Sequence, residues 1–181
     1  YWVICSLPIF TIGASTSALL YASMKLHDKE GYVTSNFFSS FKENFKQATE
    51  IWLIYLVIGI LLGFDFVMGN QAKDTLGVCM QGAAMILAIP YFLSLLYVFG
   101  VQSRFVNPVK DTIRYSFFMA LRNMKCTIQM AILMILLVWA NTTVLLVNFL
   151  TLVYGFGLMG YFFAAYYKKA FGKYLNPEEN S

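Results

Sequence analysis

The chain has 181 residues, of which 59% are apolar and only 12% charged; an ordinary soluble domain is roughly 45–50% apolar and about a quarter charged. So few ionic side chains cannot cover the surface of a water-soluble globule, and high hydrophobicity with 4 Pro and 12 Gly excludes a disordered or collagen-like chain. An integral membrane protein is left, and the net charge of +4 falls in membrane-flanking segments, so no nucleic-acid partner is expected.

In chain order, residues 1–24 are the first apolar stretch, interrupted by Pro8 and Gly13. This stretch is either one kinked span or a shorter re-entrant piece. The chain begins without methionine, so sequence upstream of Tyr1 is expected. A cleaved signal peptide fits poorly, because no basic region precedes the apolar run and further spans follow. A polar segment over 25–50 leads to a second span at 51–68, followed by 76–103, 126–148 and 149–167. At about 1.5 Å per residue, 18 to 20 helical residues cover the roughly 30 Å hydrocarbon layer. The run IWLIYLVIGILLGF lacks the alternation of a barrel strand, so the spans are predicted to be helices. The predicted fold is an all-α polytopic transmembrane bundle of about five spans, in a single membrane domain over 1–181.

Basic residues set the sidedness. Residues 25–50 carry Lys25, Lys29, Lys42 and Lys46; residues 104–125 carry Arg104, Lys110, Arg114, Arg122 and Lys125; the tail carries Lys168, Lys169 and Lys173. Of the 13 Lys and Arg, the opposite loops hold only Lys73. The positive-inside rule therefore places the basic loops and the C-terminus in the cytoplasm.

The two long basic segments resemble each other. Phe37-Phe38-Ser39-Ser40-Phe41-Lys42 aligns with Phe117-Phe118-Met119-Ala120-Leu121-Arg122, and Asn44-Phe45-Lys46 with Asn123-Met124-Lys125 across one gap at Glu43. Pro8 lies 29 residues before Phe37 and Pro90 lies 27 before Phe117. This reads as a tandem parallel repeat of span, cytoplasmic amphipathic helix and span, with copies at about 1–68 and 76–148, then a final span at 149–167 and a tail at 168–181. Helical spacing puts Phe37, Phe38, Phe41 and Phe45 on one face, with Lys42 and Lys46 alongside. Phe117, Phe118, Leu121 and Met124 form the equivalent face beside Arg122 and Lys125. Such faces suit insertion into a headgroup layer, or docking of a partner.

Catalytic chemistry has little to work with. Cys5, Cys79 and Cys126 are scattered through apolar stretches and His27 is the only histidine, so no metal site, disulfide framework or nucleophile–base pair assembles. No enzyme activity and no cofactor are expected. Asp65 is the only carboxylate inside an apolar span and lies near its end, where it reads as an interfacial cap or an ion-path residue. Asn141, Thr142 and Thr143 are placed to hydrogen-bond between helices or line a polar path. Gly155, Gly157 and Gly160 spell GxGxxG in a 19-residue apolar segment with no room for a dinucleotide-binding unit, so with Gly59 and Gly63 they read as helix-packing positions.

The string Ser6-Leu7-Pro8-Ile9-Phe10-Thr11-Ile12-Gly13-Ala14-Ser15-Thr16, followed by Ala18-Leu19-Leu20-Tyr21 and by 37–46 with Gln47-Ala48, resembles the YesL-like family of bacterial membrane proteins, a domain of unknown function. The order of spans agrees along the chain. The resemblance implies a bacterial cytoplasmic membrane location and a link to carbohydrate uptake, and brings no catalytic residues. The expected role is a non-enzymatic accessory or regulatory partner of a transporter. The alternative is a small transporter or channel whose polar path includes Asp65 and Asn141.

Overall fold

The computed structural model describes residues 5, 9–29, 31–72, 74–143 and 155–175, and these are all-α. A 3-10 turn at Ile9–Thr11 leads into α1 (Ile12–His27), then α2 (Val33–Gln71), α3 (Thr75–Arg104), α4 (Val109–Arg122), α5 (Met124–Thr143) and α6 (Phe156–Leu175). Among the described residues three helices are long and apolar enough to cross a membrane: α2, α3 and α5 over Met124–Thr142. The expected spans at 1–24 and 149–167 lie partly outside the described residues. Their described parts are α1, whose 16 residues extend only about 24 Å, and α6, which carries Lys168 and Lys169.

The boundaries depart from the sequence reading in one respect. The first amphipathic segment and the span after it form a single unbroken helix, α2, of 39 residues. Side chains bond along its polar half, Ser39 Oγ donating to Glu43 Oε1 at 2.8 Å and Asn44 Nδ2 to Ser40 Oγ at 3.2 Å. The second segment breaks at Asn123. Its backbone N–H and side-chain amide both donate to the Met119 carbonyl, at 3.0 and 3.1 Å, and so close α4. The Asn123 carbonyl then accepts from the Thr127 N–H at 3.0 Å and opens α5. Pro90, by contrast, does not interrupt its span, since α3 runs through it.

Close approach organises the first three helices. On α1, Gly13 meets the Ala48 carbonyl and Trp52 of α2, and Ala18 and Ala22 pack against Phe37. The two helices are therefore antiparallel, with α1 lying along the polar half of α2. The apolar half pairs with α3 through a tight hairpin in which a Cβ on Gly69 would come within 2.8 Å of the Gly77 carbonyl. Asp74 caps α3 by accepting from the Gly77 N–H at 3.1 Å. The turn between α1 and α2 uses left-handed backbone at Lys29 (φ 57°) and Gly31 (φ 67°).

The core gathers where α1 and α6 meet the last third of α3. Tyr97, Val98, Phe99, Val101 and Gln102 are each at most 5% exposed, and Tyr167, Ala170 and Phe171 of α6 pack against them. The opposite ends of the long helices are bare. Ile60, Leu61 and Phe64 on α2, Leu76, Ile86 and Ile89 on α3, and Ile135, Val138 and Trp139 on α5 are all exposed apolar residues. A surface of this kind matches embedding in lipid.

Candidate functional site

The two basic-aromatic segments meet different fates. Phe37 is 2% exposed, its ring enclosed by Ala18 and Ala22, with Phe41 half-buried beside it. The expected lipid-facing or partner-facing role of Phe37 is therefore corrected: two small residues one turn apart on α1 leave a slot that Phe37 fills. Phe38, Lys42 and Lys46 remain exposed and Phe45 is half-buried. On α4, Phe117 is half-buried between α2 and α3, whereas Phe118 and Leu121 are 53% and 42% exposed. The Arg114 guanidinium lies 5.8 Å from the centroid of the Phe118 ring, a cation–π arrangement. Together with Tyr115 and Arg122, and with Val101 and Phe105 at the end of α3, these residues line a shallow groove of about 900 Å³. Lys125 is exposed one turn further on.

Both segments belong to the same end of the molecule. Gln47 Nε2 on α2 donates to the Asn107 carbonyl at 2.5 Å, just before α4. Arg104, three residues before Asn107, pairs at 3.8 Å with Asp28 at the end of α1, which also pairs with Lys168 of α6 at 2.5 Å. The hydrogen bond from Lys168 holds the Asp28 carboxyl below its ordinary range, with Arg104 and Lys25 acting the same way and partial burial opposing them. His27, half-buried at the end of α1, stacks on Tyr161 at 4.1 Å, and its Nε2 lies 3.0 Å from the Tyr161 carbonyl.

A set of buried polar groups escaped the sequence reading. Ser17 donates to Gln102 Oε1 at 2.5 Å across the α1–α3 contact, while Gln102 Nε2 and Ser15 Oγ are buried with no partner among the described residues. The Tyr55 and Ser94 hydroxyls bond to each other, Tyr91 donates to the Tyr55 carbonyl at 3.0 Å, and Ser94 reaches the Ile113 carbonyl at 3.4 Å. Thr127 donates to the Ala120 carbonyl at 2.8 Å and lies 3.2 Å from the Tyr97 hydroxyl. These bonds tie α1, α2, α4 and α5 to α3. Their residues are ordinary Ser, Thr, Tyr and Gln within apolar runs, so no spacing marks them out.

The remaining candidates are dispersed. Asp65 is exposed on the apolar half of α2. Asn141 is half-buried and its Nδ2 donates to the Leu137 carbonyl at 2.9 Å; Thr142 Oγ1 donates to the Trp139 carbonyl at 2.8 Å. Both bonds stay within α5. Of the glycines, a Cβ on Gly59 would sit 2.6 Å from the Tyr91 hydroxyl and one on Gly160 2.8 Å from Leu19, so both are packing positions. Gly155 is buried. Gly63 and Gly157 do not pack: a Cβ there meets nothing within 4 Å, because those helix faces point away from neighbours among the described residues. Among the same residues no three His, Cys, Asp or Glu side chains come together as a metal site would require. Between α1, α2, α3, α5 and α6 lies an apolar cavity of about 300 Å³, edged by Trp52 and Tyr167.

The chain is similar over residues 1–66 to a family described as "Protein of unknown function, DUF624". That stretch takes in α1 and most of α2, including the residues on which the sequence resemblance rests. No curated protein and no solved structure matches the chain.

Proposed function

We propose that this is a multi-pass protein of the bacterial cytoplasmic membrane, of the YesL-like type, acting as a non-enzymatic accessory partner of a carbohydrate transporter. The observation that carries the reading is the exposed face of α4, where Phe118, Leu121, Arg114 and Arg122 offer apolar and cationic groups side by side. A core helix would bury such a face, and a simple span would not carry these charges. Lys42 and Lys46 extend the basic surface along α2. The bonds of Gln47 to Asn107 and of Asp28 to Arg104 and Lys168 gather the basic segments at one end, which supports a cytoplasmic placement and a five-span, two-copy arrangement. The buried positions Phe37 and Ser40 fall opposite the half-buried Phe117 and buried Ala120 in the aligned segments, which supports their common origin.

Co-purification from mild detergent tests the reading. The wild-type chain is expected to retain a transporter subunit, and charge reversal at Lys42, Lys46, Arg122 and Lys125 to release it. Retention unaffected by reversal, or no transporter subunit in either preparation, refutes the docking role. The ion-path alternative gains nothing specific from Asp65, which faces outward, or from Asn141, whose amide bonds to its own helix.

A further inference from the structure

We propose that the protein holds one anionic phospholipid where α1, α3 and α6 meet, with an acyl chain in the apolar cavity and the phosphate at the basic cluster around Asp28. The cavity measures about 300 Å³, the lower end of the roughly 300–1,000 Å³ typical of ligand sites. Among the described residues its lining leaves no side-chain donor free for a guest. Thr16 Oγ1 is spent on the Ile12 carbonyl at 2.7 Å, Trp52 Nε1 on the Ile9 carbonyl at 2.8 Å, and the Tyr167 hydroxyl on the Leu96 carbonyl. What remains is hydrocarbon, including Leu20, Leu95 and Phe163. A polar or soluble ligand would lose its hydration there with nothing in exchange, whereas an acyl chain loses none.

The charge lies next door. The same three helices carry both features: Leu20, Phe99 and Tyr167 line the cavity, and Asp28, Arg104 and Lys168 follow further towards the C-terminal ends of α1, α3 and α6. Arg104 reaches the Asp28 carboxylate from α3, and Lys25 bears on it from α1. Among the described residues the Arg104 and Lys168 cations share one carboxylate, an excess of one positive charge on the helices that line the hydrocarbon cavity. The Lys168 side chain is 40% exposed and that of Arg104 26%, enough to meet a headgroup. A phosphodiester without a compensating ammonium satisfies that excess; a zwitterionic headgroup satisfies it less. This inference shares with the accessory-partner reading only the membrane embedding.

Fluorescence quenching tests it on the full chain. Trp52 edges the cavity, and replacing Trp2 and Trp139 by Phe leaves it as the sole tryptophan of the original 3. The protein is reconstituted in dioleoylphosphatidylcholine vesicles, and brominated-chain phosphatidylglycerol or brominated-chain phosphatidylcholine is titrated in. The expected result is saturable quenching by the anionic lipid, at a mole fraction several-fold below that needed for the zwitterionic one. Lys168→Gln, or Arg104→Gln, should weaken the preference about fivefold, Asp28→Asn should strengthen it, and Leu95→Phe should lower the quenching plateau for both lipids by filling the cavity. Superimposed curves for the two lipids, or a weaker anionic preference in Asp28→Asn, would overturn the proposal. Because the readout needs no partner protein, it stands or falls apart from the docking role.

Discussion

Gly13 offers a sharp test of how α1 meets α2. A methyl group added there would lie 2.5 Å from the Ala48 carbonyl oxygen and 2.6 Å from Trp52 Cβ, where ordinary contact begins near 3.4 Å. Neither neighbour is the end of a flexible side chain, so the helices must part by about 1 Å, and the loss spreads to every contact along the seam. Overpacking of this kind costs typically 1–3 kcal/mol, against which Ala gains up to about 1 kcal/mol of helix propensity. The seam also buries Ala14, Ala18 and Phe37, so the net effect of Gly13→Ala is placed at about 1–2 kcal/mol of destabilisation, a five- to thirtyfold shift in the folded fraction. Gly63→Ala is the matched control. It meets nothing within 4 Å and should be neutral or stabilising by up to about 1 kcal/mol. The assay is reversible unfolding of both variants in mixed micelles with increasing dodecyl sulfate, followed by far-ultraviolet circular dichroism. A Gly13→Ala protein as stable as Gly63→Ala would refute the close α1–α2 contact.

Other expectations are independent of that seam. Phe37→Ala should destabilise the fold by about 3 kcal/mol as a buried ring lost, and Phe118→Ala by less than about 0.5 kcal/mol; the same unfolding assay separates them, and equal effects would count against the inward placement of Phe37. In a chain stripped of its three cysteines, a thiol at Asn70 should react with an impermeant maleimide on intact cells, whereas one at Lys110 should react only after permeabilisation; the reverse pattern would invert the proposed topology. The lowered carboxyl of Asp28 gives a signed pH dependence: its contribution is complete above the unfolded value of 3.8 and disappears as pH falls through the lower folded value. The difference in thermal midpoint between wild type and Asp28→Asn should therefore shrink below that pH, and a difference that grows there would contradict the ion pair.

Composition and span length made the helical membrane class readable from the sequence, because apolar runs of bilayer length have few other uses. Bilayer length alone, however, says nothing about which face of a segment meets protein. Phe37 and Phe117 occupy the same aligned position, yet one ring is enclosed and the other only half-buried, and the difference lies in Ala18 and Ala22 on another helix. The break at Asn123 had a visible cause in a capping amide, but Asn44 sits in the aligned position and bonds sideways to Ser40 without ending its helix. The cluster of Asp28, Arg104 and Lys168 joins residues far apart in the chain, and the pairing of Ser17 with Gln102 spans 85 positions. Such contacts depend on the path of the chain through space, for which local periodicity carries no signal.

The continuity of α2 has a mechanical meaning. Its 39 residues make a rod about 58 Å long, stiff because every internal carbonyl is committed to the next turn. It is held along both halves, by α1 around Gly13 and Ala48 and by α3 where Gly69 meets Gly77, and so serves both neighbours as a common support. The α4–α5 elbow at Asn123 turns the chain instead, and Thr127 Oγ1 braces it across the turn by donating to the Ala120 carbonyl at 2.8 Å. One molecule thus contains a straight rod and a braced elbow side by side, so two segments of similar sequence steer the chain in different ways.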